Sequence, residues 1–281
     1  MKICKTIQEM QEACGAVRRS GKRLGFVPTM GALHEGHLSL VRAAKQACDV
    51  VGASIFVNPT QFGPNEDLGK YPRNFERDCA LLEREKVEFL FAPTVEEMYP
   101  KGAVTWVTVD ELSEKLDGRT RPGHFRGVTT VVAKLFHIVQ PDAAFFGQKD
   151  GAQVAIIRRM AEDLNFPVEI VACPIVREAD GLAMSSRNAY LDAEQRKQAL
   201  VLHRSLLRVK SMWDSGERSA VKLIAGGREE IGKEKSVKID YFEIVNAETL
   251  DAMVNVERGA LAAVAAFVGM TRLIDNVLLG E

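Results

Sequence analysis

The chain has 281 residues, of which 37 are Lys or Arg and 38 are Asp or Glu, and its net charge of −1 leaves no basic excess for binding a nucleic-acid backbone. Its most apolar stretch, residues 260–270, is much shorter than the roughly 20 residues of a membrane span, and the N-terminus lacks the apolar core of a signal peptide. The five cysteines are scattered, which is typical of reduced thiols rather than of a disulfide framework. We therefore expect a soluble, cytoplasmic protein that binds small molecules and neither nucleic acid nor a membrane.

Helices and strands are predicted to alternate through the first 176 residues. Thr6 and Glu9 form a capping box for the first helix, and Gly21 is its stop signal. The predicted strands are 24–27, 50–57, 89–92, 143–146 and 168–176, with a strand-like insertion at 104–109. The predicted helices are 7–20, a helix from about residue 37, 75–86, 128–139 and 152–165, and a polar loop is expected at 64–73. This alternation implies a parallel α/β sheet with right-handed crossovers.

The chain changes character after residue 176. Asp192 is a candidate N-cap for the first of two charged helices, 193–213 and 220–230, and two apolar strands follow at 237–245 and 260–268. Helices followed by strands predict a smaller α+β unit. We therefore predict an α/β fold of two domains, with a parallel-sheet domain over residues 1–176 and an α+β domain over residues 177–281.

The segment 26–40 joins a strand, a turn of small residues and the start of a helix, an arrangement that points backbone N–H groups at a phosphate. His34 and His37 lie three residues apart at the expected helix start, so both can donate to the same anion. This spacing predicts a nucleotide site in which the two histidines contact ATP phosphates. Two alternatives stay open. The pair could be metal ligands, although no cysteine or carboxylate lies nearby at ligand spacing, or the segment could be a solvated turn.

Other polar segments follow the ends of predicted strands, where ligands of parallel sheets bind. Residues 58–61 follow one strand. Lys149 follows another, where its ammonium group either reaches phosphates or pairs with a neighbouring acid in a solvated turn. Residues 184–187 form a donor-rich loop suited to several phosphate oxygens, with an ordinary linker as the alternative. The glycine-bearing loop 121–127 is either a substrate loop or a turn around a satisfied histidine.

Six segments resemble, in the same order, those of the pantoate–β-alanine ligase (pantothenate synthetase) family: residues 28–37, 56–62, 71–73, 121–125, 145–150 and 184–188. The resemblance spans essentially the whole chain. It implies a Rossmann-like domain of the nucleotidyltransferase superfamily, which shares a His-x-Gly-His signature with class I aminoacyl-tRNA synthetases, followed by an α+β lid domain. It also implies a two-step reaction with Mg²⁺ as cofactor. ATP and (R)-pantoate give pantoyl adenylate and pyrophosphate, and β-alanine then displaces AMP to give pantothenate. Family members are usually cytoplasmic homodimers.

The resemblance also implies roles for individual residues. His37 matches the family's assigned proton donor, and His34, Lys149 and Arg187 join it as catalytic residues. The ATP site would comprise Met30, Gly31, Ala32, Leu33, His34, Glu35, Gly36, His37, Gly147, Gln148, Lys149, Asp150, Val176, Met184, Ser185, Ser186 and Arg187. Gln61 and Gln153 match the positions that hold pantoate, and Gln61 also matches the β-alanine position. No side chain is assigned as a metal ligand. Residues 151–152 depart from the pattern, since relatives often have a bulkier residue and a glutamine there.

Two other functions compete with this one. A related nucleotidyltransferase would transfer AMP to a phosphorylated acceptor and stop there, but it would need cationic side chains for the acceptor phosphate where this chain has Gln61 and Gln153. A non-catalytic nucleotide- or RNA-binding module is the second alternative. The near-neutral charge and the lack of an aromatic and basic stripe disfavour RNA.

Overall fold

The computed structural model describes residues 1–64 and 66–280. Asn65, in the predicted polar loop, and Glu281, at the end of the predicted second domain, lie outside the described residues. Six described strands form one parallel sheet in the order β1-β4-β3-β2-β5-β6. Their bounds are β1 Lys2–Cys4, β2 Leu24–Thr29, β3 Val50–Ile55, β4 Phe89–Phe91, β5 Ala143–Gly147 and β6 Glu169–Cys173. The strand order reverses between β2 and β5, and that switch point is where parallel sheets bind ligands.

Helices cover both faces of this sheet, as a continuous apolar strand pattern requires. The described α-helices are α1 Ile7–Arg19, α2 Glu35–Ala47, α3 Phe75–Arg84, α4 Val95–Met98, α5 Asp117–Thr120, α6 His124–Val139, α7 Gly151–Asp163, α8 Ala193–Asp214 and α9 Ala220–Ile231. Side chains alternate along β2, so Phe26 packs in the core with α1, α6 and α7, whereas Val27 packs in the core with α2 and α3. The predicted N-terminal caps of α1 and α8 are confirmed, and each is a capping box, Thr6 with Glu9 and Asp192 with Gln195.

A second, antiparallel sheet follows in the order β7-β8-β9, with bounds β7 Val237–Asn246, β8 Ala260–Val268 and β9 Thr271–Leu279. Strand β8 is buried on both faces. Ala262 and Val264 pack in a core with α8 and α9, whereas Leu261 and Ala263 pack in the core shared with α6 and α7. The small sheet therefore lies directly against the helices of the first, and the predicted α/β fold class is confirmed. The domain boundary at residue 176 stays a prediction.

The predicted strand at 104–109 is wrong. The N–H group of Val107 donates to Thr130 Oγ1 at 3.0 Å, and its carbonyl accepts from Thr129 Oγ1 at 2.6 Å. Side chains of α6 thus satisfy this backbone, and no strand pairs with the segment in the described part of the chain. Its β-branched residues mimic a strand pattern without a neighbouring edge to join.

Several element ends also differ from the sequence prediction. Strand β2 continues through Pro28, which lies opposite Ser54 of β3, although the sequence predicts a break there. Helix α2 begins at Glu35 rather than near residue 37. Helix α6 begins at His124 rather than at residue 128, and Gly123 before it takes a left-handed conformation (φ 82°), which glycine adopts without strain. The sequence pattern missed β1, β9, α4 and α5 altogether.

Candidate active site

The loop between β2 and α2 is held in shape by a buried carboxylate from α3. Gly31 (φ 82°) and Ala32 (φ 51°) are both left-handed, a strained conformation for an alanine. Asp78 accepts from the backbone N–H of Ala32 at 2.7 Å and from that of Leu33 at 2.9 Å, and the residue is 1% exposed. Asp78 therefore fixes the turn that leads into the histidine pair. Sequence reasoning missed it, because an acid in the first turn of a helix looks like ordinary capping.

His34 and His37 lie together at the start of α2, with ring centroids 4.1 Å apart. The backbone N–H of His34 donates to His37 Nδ1 at 3.3 Å, so Nδ1 is the acceptor and Nε2 carries the proton of the neutral ring. Burial, followed by the charge of Lys149, lowers the pKa of His34 to about 4. Burial, with His34 and Lys149 adding to it, lowers the pKa of His37 to about 3. Both rings are consequently neutral hydrogen-bonding groups at pH 7.

One nitrogen of this pair has no hydrogen-bond partner among residues 1–64 and 66–280. The buried Nδ1 of His34 makes no hydrogen bond to any described residue. A buried polar atom without a partner is costly, and a bound ligand is one way to satisfy it. The metal-ligand alternative lacks further donors, because the described residues contain no group of three His, Cys, Asp or Glu side chains that could hold a metal ion.

Gln61 is oriented by a buried asparagine. Asn58, 1% exposed, donates from Nδ2 to Gln61 Oε1 at 3.1 Å, so the Gln61 amide turns its Nε2 toward Met30 Sδ, 3.0 Å away. The Asn58 Oδ1 atom in turn accepts from the Tyr99 hydroxyl at 3.0 Å. The structure therefore brings two predicted site residues, Gln61 and Met30, into contact across the carboxyl ends of β2 and β3.

The loop around His124 contacts the backbone of the same turn. Its Nδ1 lies 2.8 Å from the Gln61 carbonyl, which can only accept, so Nδ1 carries the proton. The Arg121 guanidinium donates to Glu66 through both carboxylate oxygens, at 2.6 and 2.7 Å, and lies 3.0 Å from His124 Nε2. A Cβ at Gly127 would lie only 2.4 Å from the Thr60 carbonyl oxygen, so α6 can approach this turn only with glycine there.

Lys149 lies in the short 3₁₀ turn Gln148–Asp150, directly after β5. Its positive charge contributes to the lowered pKa of both His34 and His37, after the larger effect of burial. The Nζ atom is 3.6 Å from Asp150 Oδ1. The ends of β2 and β5 therefore supply the histidines and the lysine to the same crevice.

Residues 184–187 are brought to the same crevice by backbone contacts. The N–H of Met184 donates to the Val176 carbonyl at 3.0 Å, and a Cβ at Gly36 would lie 3.8 Å from the Met184 Cβ. Arg187, however, is engaged elsewhere. It forms a two-pronged pair with Asp67 at 2.8 and 3.0 Å.

Some predicted residues are not in contact with this cluster through their side chains. The Glu35 carboxylate pairs with Arg42. Gln153 lies half-buried in the first turn of α7, and within the described residues it shares no hydrogen bond with Gln61. A cavity of about 300 Å³ opens beside the β2–α2 loop, between residues 30–32 on one side and residues 72–75 with Asp78 on the other.

This fold and this site define a class of protein. A parallel sheet with a neutral histidine pair at a helix start, a lysine directly after the adjacent strand and a donor-rich loop is typical of nucleotide-binding α/β enzymes. Residues 2–278 match the family model described as pantoate-beta-alanine ligase. The chain belongs to the pantoate–β-alanine ligase family and is a ligase, which confirms the family predicted from the six sequence segments.

Similar proteins and solved structures support this family assignment along the whole chain. The chain is 61% identical to the pantothenate synthetase of Koribacter versatilis, over 99% of this chain and 96% of the relative. It is 62% identical to the pantothenate synthetase of Acidobacterium capsulatum, over 100% of this chain and 98% of the relative. A crystal structure of the pantothenate synthetase from Thermus thermophilus has a TM-score of 0.94 at 47% identity, covering 100% of both chains. The Francisella tularensis pantoate-beta-alanine ligase, complexed with beta-gamma ATP and beta-alanine, has a TM-score of 0.81 at 33% identity, covering 99% and 97%.

Proposed function

We propose that this chain joins (R)-pantoate and β-alanine through a pantoyl-adenylate intermediate, with release of pyrophosphate and then AMP. The observation that carries the proposal is the neutral histidine pair at the helix start after β2, with Lys149 directly after the neighbouring strand β5. The family membership supplies the substrates, and the relative from Francisella tularensis was crystallised with beta-gamma ATP and beta-alanine.

In the first step a carboxylate oxygen of pantoate attacks the α-phosphorus of ATP. The new oxygen–phosphorus bond forms as the bond to the pyrophosphate oxygen breaks, so negative charge accumulates on the α-phosphoryl oxygens and on the leaving group. Catalysis then depends on positioning and on charge stabilisation. Lys149 contributes a compact positive charge. His37 contributes its Nε2–H group, and His34 contributes the buried Nδ1 that has no partner among the described residues.

The role of His37 as proton donor depends on the bound nucleotide. With a pKa of about 3 it is neutral at pH 7, so it enters the reaction as a hydrogen-bond donor. A triphosphate anion within hydrogen-bonding distance favours the charged form of an imidazole and raises its pKa. Nucleotide binding therefore prepares His37 to protonate the departing phosphate oxygen.

In the second step the amine nitrogen of β-alanine attacks the acyl carbon, the bond from that carbon to AMP breaks, and the nitrogen releases a proton. Gln61 holds the small acids with an uncharged amide that donates and accepts without repelling a carboxylate. Asn58 fixes which end of this amide faces the pocket. Gln153, on α7, is proposed as the second pantoate residue.

Residues 30–37, 147–150, 176 and 184–187 are proposed to line the ATP site. Arg187 takes part by exchanging Asp67 for phosphate oxygens, which match a guanidinium in the same two-pronged geometry. The nucleotide is thus held by a set of backbone N–H groups and a few cations. We also propose the domain division at residue 176, which lies shortly before the 184–187 loop.

Magnesium, dimerisation and location complete the proposal. The donor set fits an Mg²⁺ ion carried mainly by the triphosphate, since the described residues offer no group of three ligating side chains. When bound, Mg²⁺ neutralises phosphate charge.

A homodimer is supported by the exposed side chains of Val104 (82%) and Trp106 (44%). A sedimentation-velocity experiment that gives a monomer would contradict the homodimer. A cytoplasmic location is proposed with the biosynthetic family. No helix of the described chain is long and apolar enough to cross a membrane.

The test is pyrophosphate release from ATP and Mg²⁺. We expect release that depends on pantoate and stops at about one equivalent per site, because the adenylate stays bound, until β-alanine permits turnover. Release without either acid would indicate an ATP hydrolase. Release that requires a phosphorylated acceptor would indicate AMP transfer, and no release under any combination would indicate a binding module.

A further inference from the structure

Two adjacent polar residues lie buried in the last strand. Asp275 and Asn276 of β9 are each 4% exposed, in a strand whose other buried residues are mostly apolar. Burying an amide and a carboxylate is costly unless their hydrogen bonds are made. Each of these two side chains bonds segments outside the small sheet, at the candidate active site.

Asn276 holds the turn that carries Lys149. Its Nδ2 atom donates to the backbone carbonyls of Gln148 and Lys149, both at 2.9 Å, and its Oδ1 lies 3.4 Å from Gln148 Nε2. One side chain thus bonds two of the three residues in the turn that precedes α7. These bonds fix the backbone from which the Lys149 side chain projects.

Asp275 holds the start of the loop that carries Met184. It accepts from Arg177 in two-pronged geometry at 2.6 and 2.9 Å. The Arg177 guanidinium also donates to the Gly181 carbonyl at 3.2 Å, within the same loop. A fixed pair of neighbours on β9 therefore sets the distance between two segments, residues 148–149 and residues 177–184, that both border the crevice.

The backbone packing beside this turn is equally close. A Cβ at Gly151 would lie 3.2 Å from a methyl carbon of Leu261 on β8 and 3.1 Å from Gln148 Nε2. The start of α7 consequently rests directly on the small sheet. Residues 151–152 are the position at which this chain departs from the family pattern, and here the glycine leaves room for Leu261.

We propose that Asn276 is a positioning residue for adenylate formation, which sets the Lys149 ammonium against the phosphates of ATP. Asp275 secures the neighbouring loop from the same strand. The small sheet is thereby part of the phosphate site, although none of its residues needs to touch the nucleotide. This inference rests on the proposed function of Lys149.

The test is the rate of pyrophosphate formation in a single turnover with ATP and pantoate. Asn276→Leu keeps the side-chain volume and removes both donors. We expect a fall of about tenfold to a hundredfold in this rate, because small displacements of a charge-stabilising group have effects of that size. The dissociation constant of ATP, measured by calorimetry, should change by less than about threefold, since transition-state contacts contribute little to ground-state binding.

Asn246→Leu is the matched control. Asn246 ends β7 in the same sheet, and its Oδ1 accepts two backbone N–H groups of a turn, from Glu248 at 2.8 Å and Thr249 at 3.0 Å. The Asn246→Leu variant therefore loses a similar number of hydrogen bonds to a turn, but at a place away from the crevice. We expect its single-turnover rate to match that of the unsubstituted protein. An equal loss of rate in the two variants would overturn the positioning role.

A double-mutant cycle separates positioning from general destabilisation. In a Lys149→Ala background the Asn276→Leu substitution should slow adenylate formation no further, because the group that it positions is already gone. If the double variant is slowed by the product of the two single effects on the rate of adenylate formation, the proposal is wrong. If Asn276→Leu does not fold, Asn276→Asp, which keeps the shape and turns an acceptor toward the two carbonyls, carries the same cycle. Pantoate-dependent pyrophosphate release by the unsubstituted protein tests the proposed function itself, so the two failures are distinguishable.

Discussion

Acidification should destabilise this protein well before its carboxylates titrate. Three of the five histidines have strongly lowered pKa values: about 4 for His34, about 3 for His37 and about 4 for His124, each mainly because of burial. The folded pKa lies below the unfolded value of 6.5 in each case, so the unfolded chain binds more protons. Stability is therefore fully present above pH 6.5 and is lost as the pH falls toward the folded pKa.

The size of this loss follows from the pH interval. A pH of 5 lies about 1.5 units below the unfolded pKa. At that pH each such histidine therefore lowers the free energy of unfolding by about 2 kcal/mol. Three would sum to about 6 kcal/mol, but each residue keeps some exposed surface, and water screens part of the cost. We expect a net loss of about 3 to 4 kcal/mol between pH 7.5 and pH 5, a large share of the 5–15 kcal/mol that is usual for a folded domain.

The assay is urea unfolding followed by tryptophan fluorescence at pH 7.5 and pH 5. His124→Asn should remove about a third of the pH dependence, because asparagine can donate to the Gln61 carbonyl without titrating. His137→Asn is the matched control, since His137 lies exposed on the same helix. Equal urea midpoints at the two pH values would refute the reasoning. So would a control that flattens the pH dependence as much as His124→Asn does.

Two further predictions concern single side chains. Lys149→Ala should slow pyrophosphate formation by about a hundredfold, the usual loss for a group that meets charge in the transition state, and should change ATP affinity far less. Equal losses in both would show that Lys149 binds nucleotide uniformly. Gly127→Ala should destabilise the protein by about 1–3 kcal/mol and raise the KM for pantoate, because its Cβ would meet the Thr60 backbone at 2.4 Å and push α6 off the Gln61 turn. Gly232→Ala, whose Cβ would meet nothing closer than 3.4 Å, is the control, and equal melting temperatures for the two variants would contradict the packing argument.

Local signals made much of the fold predictable. The capping side chains of Thr6 and Asp192 mark helix starts that the structure reproduces, and the apolar runs of β3 and β8 mark strands buried on both faces. Strand β9 escaped prediction because Asp275 and Asn276 interrupt its apolar pattern.

The supporting residues of the candidate site were much harder to predict than its signature. The histidine pair lies in one short segment with recognisable spacing, so a sequence motif exposes it. Asp78 and Asn276 act on segments that are 46 and 128 residues away along the chain, and each looks unremarkable in its own element. Contacts of this kind depend on which elements the fold brings together, and no local pattern records them.

The pairing of Arg187 with Asp67 has a consequence for how the site responds to a ligand. These residues are 120 positions apart, and the Ser186 and Tyr71 hydroxyls, 3.4 Å apart, join the same two segments. A ligand that attracts the guanidinium must compete with a carboxylate already in place, and winning that competition removes one of the contacts that join the two segments. Ligand binding at Arg187 and the Arg187–Asp67 contact are therefore coupled: whatever strengthens the ion pair weakens binding of the ligand at the guanidinium by the same free energy.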